Sequence, residues 1–324
     1  MTEIVAGKIN VDPGVAARAS RAQTEDRVFL GLTWASAVIV VALLLGVLVA
    51  LVYGAWPALQ TFGLEFLSTE RWNPAKEIYG AAAPIYGTLM TSVIAMLIGI
   101  PISFGIAIFL TELCPAPLRR PIGVAIELLA GIPSIIYGLW GFFVLAPFLQ
   151  ATVQPFLIST VGNVPLIGAL FQGPPYGVGL FTAGIILAIM VLPFITAITR
   201  DVFLTVPTLL RESAYGMGMT TWEVVWKIVV PYTRVGLVGG IMLGLGRALG
   251  ETMAVTFVIG NAHKVHASIL QPATTISAAI ANEFNEATSD LYTSSLIALG
   301  LILFLITFAV LGIAKWLLGR AKSY

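Results

Sequence analysis

The sequence predicts an all-α polytopic membrane protein with six transmembrane helices. Hydrophobic residues make up 58% of its 324 residues, and charged residues only 10%. The mean hydropathy of +0.96 is strongly positive, as is typical of integral membrane proteins. The apolar residues also fall into six long runs, and each run has about the length that a helix needs to cross a bilayer.

The runs follow one another with polar or proline-rich connections. Residues 1–27 are polar, and we interpret them as a cytoplasmic N-terminal tail that precedes a membrane domain at 28–324. The first run is too long for a signal-peptide core and lacks a small-residue cleavage site, so we expect it to be retained. The six spans are predicted at 28–53, 84–110, 122–147, 178–198, 235–259 and 291–311.

The third predicted span contains two features with more than one interpretation. Pro133-Ser134 interrupts it at membrane depth. A break there can expose backbone N–H groups and the Ser134 hydroxyl to an anion, but a simple kink explains the proline equally well. Glu127 lies near the membrane edge, and we expect a neighbouring side chain to pair with it. The next segment, 148–177, has no charge and is predicted to be an outer loop, as is the polar segment 261–290.

Basic residues decide the predicted orientation. Six spans place both termini on one side of the membrane. With the termini inside, inner segments hold 13 of the 17 lysines and arginines, outer segments hold three, and Arg247 lies within a span. Cytoplasmic loops are enriched in lysine and arginine, so both termini are predicted to be cytoplasmic.

Several classes of function are disfavoured. The net charge of +1 argues against nucleic-acid binding, and the single cysteine, Cys114, excludes an intrachain disulfide. His263 and His266 lie in a predicted loop with no carboxylate beside them in sequence, so we expect no metal site. A Walker A loop needs lysine after its second glycine, but Glu251 follows Gly250. Any ATP chemistry must therefore come from another chain, and this chain is not expected to be an enzyme.

The fifth predicted span contains Arg247 and Glu251. Each charge costs several kcal/mol in hydrocarbon unless it is paired or faces a polar cavity. The two residues are four apart, so a continuous helix would place them on one face, together with Gly236, Gly240 and Gly244. Such a glycine stripe allows another backbone or a small ligand to approach closely. The pair is either a structural ion pair or part of an anion site, since a guanidinium group matches phosphate-type oxygens.

The longest inward-facing polar segment lies between the fourth and fifth predicted spans. A short amphipathic helix begins near Pro207 and ends at a glycine-containing turn at Gly218. Thr220 and Glu223 form a capping box, which predicts a second helix that reaches Pro231. The segment, at about 205–231, is therefore a predicted helix–turn–helix at the cytoplasmic surface. It is either a connecting loop or a rigid knob that a soluble partner grips, and its length favours the knob.

The same segment carries a known motif. Glu212-Ser-Ala214-x3-Gly218-x9-Ile228-Val-Val-Pro231 resembles the EAA signature of ATP-binding-cassette importer permeases, E-A-A-x3-G-x9-I-x-L-P. Ser213 and Val230 depart from it. The resemblance implies a type I ABC importer permease fold. It also implies that this segment is the coupling helix that fits a groove on an ATPase subunit. The implied ATPase-coupling residues are Glu212, Ala214, Gly218, Ile228 and Pro231.

Three further stretches, 84–89, 131–141 and 244–252, are similar to the phosphate-specific members of this family. The likeness covers about 28–316. It implies a bacterial inner-membrane protein that works with a homologous second permease, two copies of an ATPase subunit, and an extracytoplasmic phosphate-binding protein. ATP and Mg belong to the ATPase subunits, and no cofactor is expected in this chain. The implied substrate-binding residues are Arg247, Glu251, Thr252 and Ser134.

The resulting hypothesis is that phosphate passes through a cavity between two permeases. Arg247 holds the anion, Gly240 and Gly244 leave room for it, and Glu251 neutralises Arg247 when the cavity is empty. Three alternatives stay open. The cargo can be another oxyanion such as sulfate or molybdate. The protein can be a proton-driven carrier with Glu251 as a relay, or a scaffold or sensor in which the ion pair is purely structural.

Overall fold

The computed structural model describes residues 13–165 and 167–321, which are helical over most of their length. Residues 1–12 of the predicted tail at 1–27 and the basic residue Lys322 lie outside the described residues. The α-helices in chain order are α1 (Pro13–Phe62), α2 (Glu65–Ser68), α3 (Ala82–Ile108), α4 (Ala116–Ala130), α5 (Ser134–Trp140), α6 (Ala146–Phe148), α7 (Gln154–Thr160), α8 (Leu180–Leu204), α9 (Thr208–Gly216), α10 (Thr221–Val224), α11 (Val230–Gly250), α12 (Met253–Val258), α13 (Ile276–Glu283) and α14 (Asp290–Ala321).

Several of these helices are joined by π-helical turns, so they form longer continuous rods. The π turns are Phe109–Leu113, Gly141–Leu145, Leu149–Val153 and Val225–Val229. Short 3₁₀ turns occur at Pro74–Lys76, Gly168–Phe171 and Phe284–Glu286. Extended pairing in the described residues is limited to two isolated bridges, Asn73 with Ile78 and Gly260 with Ala273.

Among the described residues, six helices are long and apolar enough to cross a membrane, so the predicted number of spans is confirmed. The six spans are Glu25–Phe62, Ala82–Leu113, Ser134–Thr160, Leu180–Leu204, Thr221–Gly250 and Asp290–Trp316. We call them span one to span six. The chain divides into two compact units, Met1–Tyr53 and Gly54–Tyr324. The described part of the first unit is the N-terminal part of α1, and the second unit contains all the other elements.

Helix α1 extends well beyond the predicted first span at both ends. It runs without interruption from Pro13 through residue 27, so the predicted boundary of the tail is not a break in the backbone. It ends at Phe62, directly before Gly63, whose φ of +55° lies in the left-handed region that terminates helices. The sequence composition becomes mixed at position 54, but a helix ends where the backbone geometry changes and not where polarity does.

The third span differs from its prediction. The predicted run at 122–147 is divided at Pro133: helix α4 ends at Ala130, and α5 begins at Ser134. A complete break is observed and not a kink, because proline has no N–H group and disfavours helical geometry in the residue before it. The span then continues to Thr160, so the first part of the predicted outer loop at 148–177 is helical.

The main core of the second unit joins spans two and four to the segment that follows span five. Helix α3 packs along α8, and residues of α12 and α13 complete the cluster. The segment 261–290, predicted to be a polar outer loop, contributes fully buried Leu270 and Ile276. The Thr88 hydroxyl of α3 accepts a hydrogen bond from the Ile276 amide at 2.9 Å. The segment still connects spans five and six, but it is not a simple polar loop, because it folds apolar side chains into the core.

Candidate functional site

The predicted glycine stripe of span five is a helix-packing surface. If each of these glycines carried a Cβ atom, that atom would lie 2.6 to 2.9 Å from a side chain of span four. The contacts are Gly236 with Val202, Gly240 with Ile198, and Gly244 with Ile195. The absence of side chains therefore lets α11 approach α8 closely. The expectation that Gly240 and Gly244 leave room for a ligand is wrong for this structure, because two isoleucine side chains fill that space.

Arg247 lies in the last turn of α11, one turn beyond the stripe. Its guanidinium carbon is 4.6 Å from the centre of the Phe194 ring of α8, which is a cation–π distance. The side chain is half-buried, and its Nε is fully buried without a hydrogen-bond partner among the described residues. Arg247 also lies within electrostatic range of the Tyr137 hydroxyl of α5. The cation therefore sits where spans three, four and five meet.

Glu251 does not share a helical face with Arg247, so this prediction was wrong. Helix α11 ends at Gly250, and Glu251 is extended with φ −71° and ψ 128°. Its carboxylate accepts a 3.4 Å hydrogen bond from the Ala254 amide in the first turn of α12. Within the described chain, no ion pair joins Glu251 to Arg247 at 4.0 Å or less. A carboxylate at a helix N-terminus is favourable, and glycine is a poor helix former, so the chain breaks here.

Thr252 and Ser134 lie at two helix breaks. Thr252, half-buried, sits between α11 and α12, and its hydroxyl donates to the Gly250 carbonyl at 3.4 Å. Ser134, also half-buried, is the first residue of α5. Helix α5 packs directly on α12, since a Cβ at Gly138 would lie 3.0 Å from the Ala254 Cα. The fold therefore brings together two broken helices, the kind of element that lines substrate sites in transporters.

Two aromatic residues near Arg247 could not be identified from the sequence. Phe194 and Tyr137 are aromatic residues in apolar spans, and nothing in the sequence distinguishes them from the other members of a chain with 17 phenylalanines and nine tyrosines. Their proximity to Arg247 follows only from the packing of α5, α8 and α11. Phe194 does directly follow Pro193, but that neighbour marks a helix irregularity and not a site.

The predicted helix–turn–helix is present, with one difference. Helix α9 ends at Gly216, and Gly218 has a φ of +84°, so the turn is confirmed. The capping box of Thr220 and Glu223 is also confirmed. The second helix passes through a π turn and reaches Pro231, as predicted, but it then continues along the rest of α11. The π turn changes the hydrogen-bond pattern just before Pro231, so the missing proline N–H does not end the helix.

The residues of the EAA-like motif face two directions. Glu212, Gly218 and Pro231 are exposed. Ala214 is only 1% exposed and packs, with partly buried Ile228 beside it, on an apolar cluster formed by the ends of several helices. The buried members of that cluster are Ala107, Phe203, Val206, Ala214, Val224, Val229 and Leu237. The apolar motif residues thus attach the helix–turn–helix to spans two, four and five.

Glu127 has the neighbouring partner that the sequence led us to expect. Its carboxylate lies 2.7 Å from a terminal nitrogen of Arg200, which also contacts Asp201 at 2.8 Å. Arg200 lies near the end of span four and Glu127 in α4, so the pair links span four to the connection between spans two and three. The carboxylate is half exposed, which fits a surface ion pair rather than a buried functional group.

At the opposite end of the spans, His263 does have a carboxylate beside it in space. Its Nε2 lies 2.7 Å from Glu283 Oε1, a carboxylate 20 residues away that helical or loop spacing in the sequence does not connect with it. The Tyr292 hydroxyl donates to Glu283 Oε2 at 2.7 Å, the Trp72 indole N–H donates to the same oxygen, and the Trp72 ring stacks on His263. Burial raises the pKa of Glu283, but these donors outweigh burial and hold the pKa below its usual value.

Known proteins resemble the chain along most of its length. The sequence model of the family described as "Binding-protein-dependent transport system inner membrane component" matches residues 99–323. Two relatives are named "Phosphate transport system permease protein PstC". The one from Mesorhizobium japonicum is 65% identical, over 92% of this chain and 91% of that protein. The one from Pasteurella multocida is 61% identical, over 89% of both chains.

A solved structure supports the fold. The crystal structure of a bacterial alginate ABC transporter in complex with alginate pentasaccharide-bound periplasmic protein contains a chain that is similar to this one, with a TM-score of 0.62. The match covers 92% of this chain and 98% of that chain, at 16% sequence identity. At this identity the likeness concerns the fold alone.

Proposed function

The chain belongs to the family of binding-protein-dependent transport system inner membrane components, and on that premise we propose that it is the permease subunit of an ATP-driven phosphate importer. It is a multi-pass protein of the bacterial inner membrane with an ABC importer permease fold, and it is a transport subunit rather than an enzyme. As a component of such a system it works with partner subunits. The names of its 65% and 61% identical relatives support phosphate as the cargo.

The observation that carries the proposal is the burial and incomplete hydrogen bonding of Arg247. A half-buried guanidinium group, with a buried Nε that lacks a hydrogen-bond partner among the described residues, lies at a junction of three spans and is not neutralised by Glu251. Such a cation is unfavourable within a membrane unless it meets an anion or a polar cavity. Phosphate oxygens match the donor geometry of guanidinium. We therefore assign Arg247 the role of holding phosphate during its passage.

The neighbouring polar groups receive supporting roles. Glu251 places a negative charge four residues along the chain from Arg247 and, in our proposal, prevents phosphate from binding too tightly to be released. Because the two residues do not pair in this conformation, any neutralisation of Arg247 by Glu251 requires a rearrangement of the break at Thr252. The half-buried hydroxyl groups of Thr252 and Ser134 can donate to phosphate oxygens at the two helix breaks.

The proposed partners are a homologous second permease, two ATPase subunits that hold ATP and Mg, and an outer phosphate-binding protein. The translocation cavity lies between the two permeases. Glu212, exposed on α9, faces the groove of an ATPase subunit, while Ala214 and Ile228 attach α9 to the spans. The turn at Gly218 and the continuous helix that follows it then move with the ATPase. Closure of the ATPase dimer on ATP thereby changes the side to which the cavity opens.

The test is phosphate uptake by the complete transporter, reconstituted in vesicles, with variants at Arg247. We expect Arg247→Ala to lower uptake about 10- to 150-fold, as the loss of a charge-assisted hydrogen bond of about 1.5–3 kcal/mol implies. Arg247→Lys keeps the charge but not the planar donor pair, so it should retain intermediate uptake. Arg120→Ala, which removes an exposed arginine of α4, is the matched control. Full uptake by an assembled Arg247→Ala transporter would remove this residue from the mechanism.

The same vesicles discriminate between the alternative functions. Uptake of sulfate or molybdate in preference to phosphate would identify another oxyanion as the cargo. Phosphate uptake that continues without ATP but depends on a proton gradient would indicate a secondary carrier. An ATPase rate that does not change when phosphate and the binding protein are added would favour a scaffold or sensor.

A further inference from the structure

A nearly buried ion pair joins the helix–turn–helix to the end of span two. Nη1 of Arg211, in α9, donates to Glu112 Oε1 at 2.6 Å. The side chains of Arg211 and Glu112 are only 15% and 5% exposed. Glu112 lies in the π turn that ends span two, 99 residues earlier in the chain. The contact therefore connects two elements that local sequence does not hold together.

The same arginine also reaches span four. Its Nη2 donates to the backbone carbonyl of Phe203, a fully buried residue near the end of α8. Its Nε is buried without a hydrogen-bond partner in the part of the chain that the structure describes. A buried ion pair is weak evidence for stability, because desolvation of the two charges offsets their attraction. The arrangement is better explained by the position it imposes on α9 than by a gain in stability.

The contacts of Arg211 lead towards the proposed phosphate site. Arg211 contacts the carbonyl of Phe203, and the ring of Phe194 lies under Arg247. Both phenylalanines are on α8, nine residues apart, which is about 13.5 Å along the helix. Span two, whose last turn contains Glu112, packs along α8. A displacement of α9 is thus applied through these contacts to spans two and four, and span four carries Phe194 of the proposed site. The apolar contact of Ala214 with the same helix ends supports the same direction of transmission.

We propose that Arg211 is a positioning residue that transmits the movement of α9 to spans two and four through Glu112 and the Phe203 carbonyl. The inference rests on the proposed function, since it concerns how ATP hydrolysis is coupled to phosphate uptake. It assigns to Arg211 a role distinct from that of its neighbour Glu212, which is exposed. Loss of the link should leave ATP hydrolysis intact but reduce the amount of phosphate transported per ATP.

The test compares Glu112→Gln, Arg211→Gln and the charge-exchanged double variant Glu112→Arg/Arg211→Glu in the reconstituted transporter. Phosphate uptake and ATP hydrolysis are measured in the same vesicles, together with the amount of assembled complex. We expect each single variant to lower the ratio of phosphate to ATP about 5-fold or more, a change typical of lost coupling between sites. The ATPase rate should stay within about twofold of the parent, and the double variant should recover part of the ratio.

Lys227→Ala is the matched control. Lys227 also pairs with a glutamate, at 2.9 Å, but the pair is exposed and lies within one helix, so it connects no separate elements. Its removal should leave the ratio unchanged. An unchanged ratio in assembled Glu112→Gln and Arg211→Gln transporters would overturn the inference, as would a fall that only parallels lower assembly. Failure of the proposed function is distinguishable, because the parent transporter would then show no ATP-dependent phosphate uptake at all.

Discussion

The packing of span five on span four can be tested at one glycine. In Gly244→Ala, the new Cβ would lie 2.7 and 2.8 Å from Cγ1 and Cδ1 of Ile195, and 4.0 Å from the Met96 Cε. Carbon atoms do not approach so closely without repulsion, and Ile195 is fully buried. Either the isoleucine must leave its position or α11 must move away from α8. Because Arg247 lies one turn further along α11, such a movement also displaces it from Phe194.

The magnitude follows from a comparison with Gly239→Ala in the same helix. Both substitutions remove a glycine from a helix interior, which stabilises by roughly 0.5–1 kcal/mol. A Cβ at Gly239 meets nothing within 4 Å, so that gain should be fully expressed. At Gly244 the overpacking costs about 1–3 kcal/mol. The stabilisation from replacing a helical glycine is the same in both variants and cancels in the comparison. Gly244→Ala should therefore be less stable than Gly239→Ala by about 1–3 kcal/mol.

The free energy of unfolding of the purified chain in detergent micelles, from a reversible denaturant titration, measures this difference. Phosphate uptake by the two reconstituted variants gives a second readout, and we expect Gly244→Ala to be the slower. If the two variants unfold at the same denaturant concentration, the stripe does not pack on span four as described. The close approach of Arg247 to Phe194 would then lack its structural basis.

Three further predictions concern other contacts. Phe194→Leu removes the aromatic face under Arg247, worth about 0.5–1 kcal/mol, and should slow phosphate uptake about 2- to 5-fold; an unchanged rate would contradict the contact. Gly218→Ala forces alanine to a φ of +84° and should lower the free energy of unfolding by about 1–2 kcal/mol in a denaturant titration. Gly216→Ala, where a Cβ meets nothing within 4 Å, should not lower it. Equal stabilities of the two variants would contradict the turn geometry. The folded-state pKa of Glu283 lies below its unfolded value, so its contribution to stability is complete above about pH 4.3 and is lost as pH falls through the folded pKa. Unfolding measured against pH should therefore show a smaller acid-dependent loss for Glu283→Gln than for the parent, and identical profiles would refute that assignment.

The sequence by itself determined the features that depend on composition and on local interactions. Six apolar runs specify six spans because a helix that crosses a bilayer must be long and apolar. The capping box of Thr220 and Glu223 and the left-handed glycine at 218 locate the helix–turn–helix, since both act within a few residues of the chain. The EAA-like motif and the stretch around Arg247 could be recognised from the sequence for the same reason, since the residues of each lie close together in the chain.

Tertiary structure alone decided what those local features contact. Isoleucines of span four fill the glycine stripe, and Arg247 lies over Phe194 and not beside Glu251. Helical periodicity placed the arginine and the glutamate on one face, but it could not show that the helix stops at Gly250, because capping of the next helix competes with propagation of the first. The link from Arg211 to Glu112 is equally invisible in the sequence. Its partners are 99 residues apart, and only the packing of the helix ends brings them together.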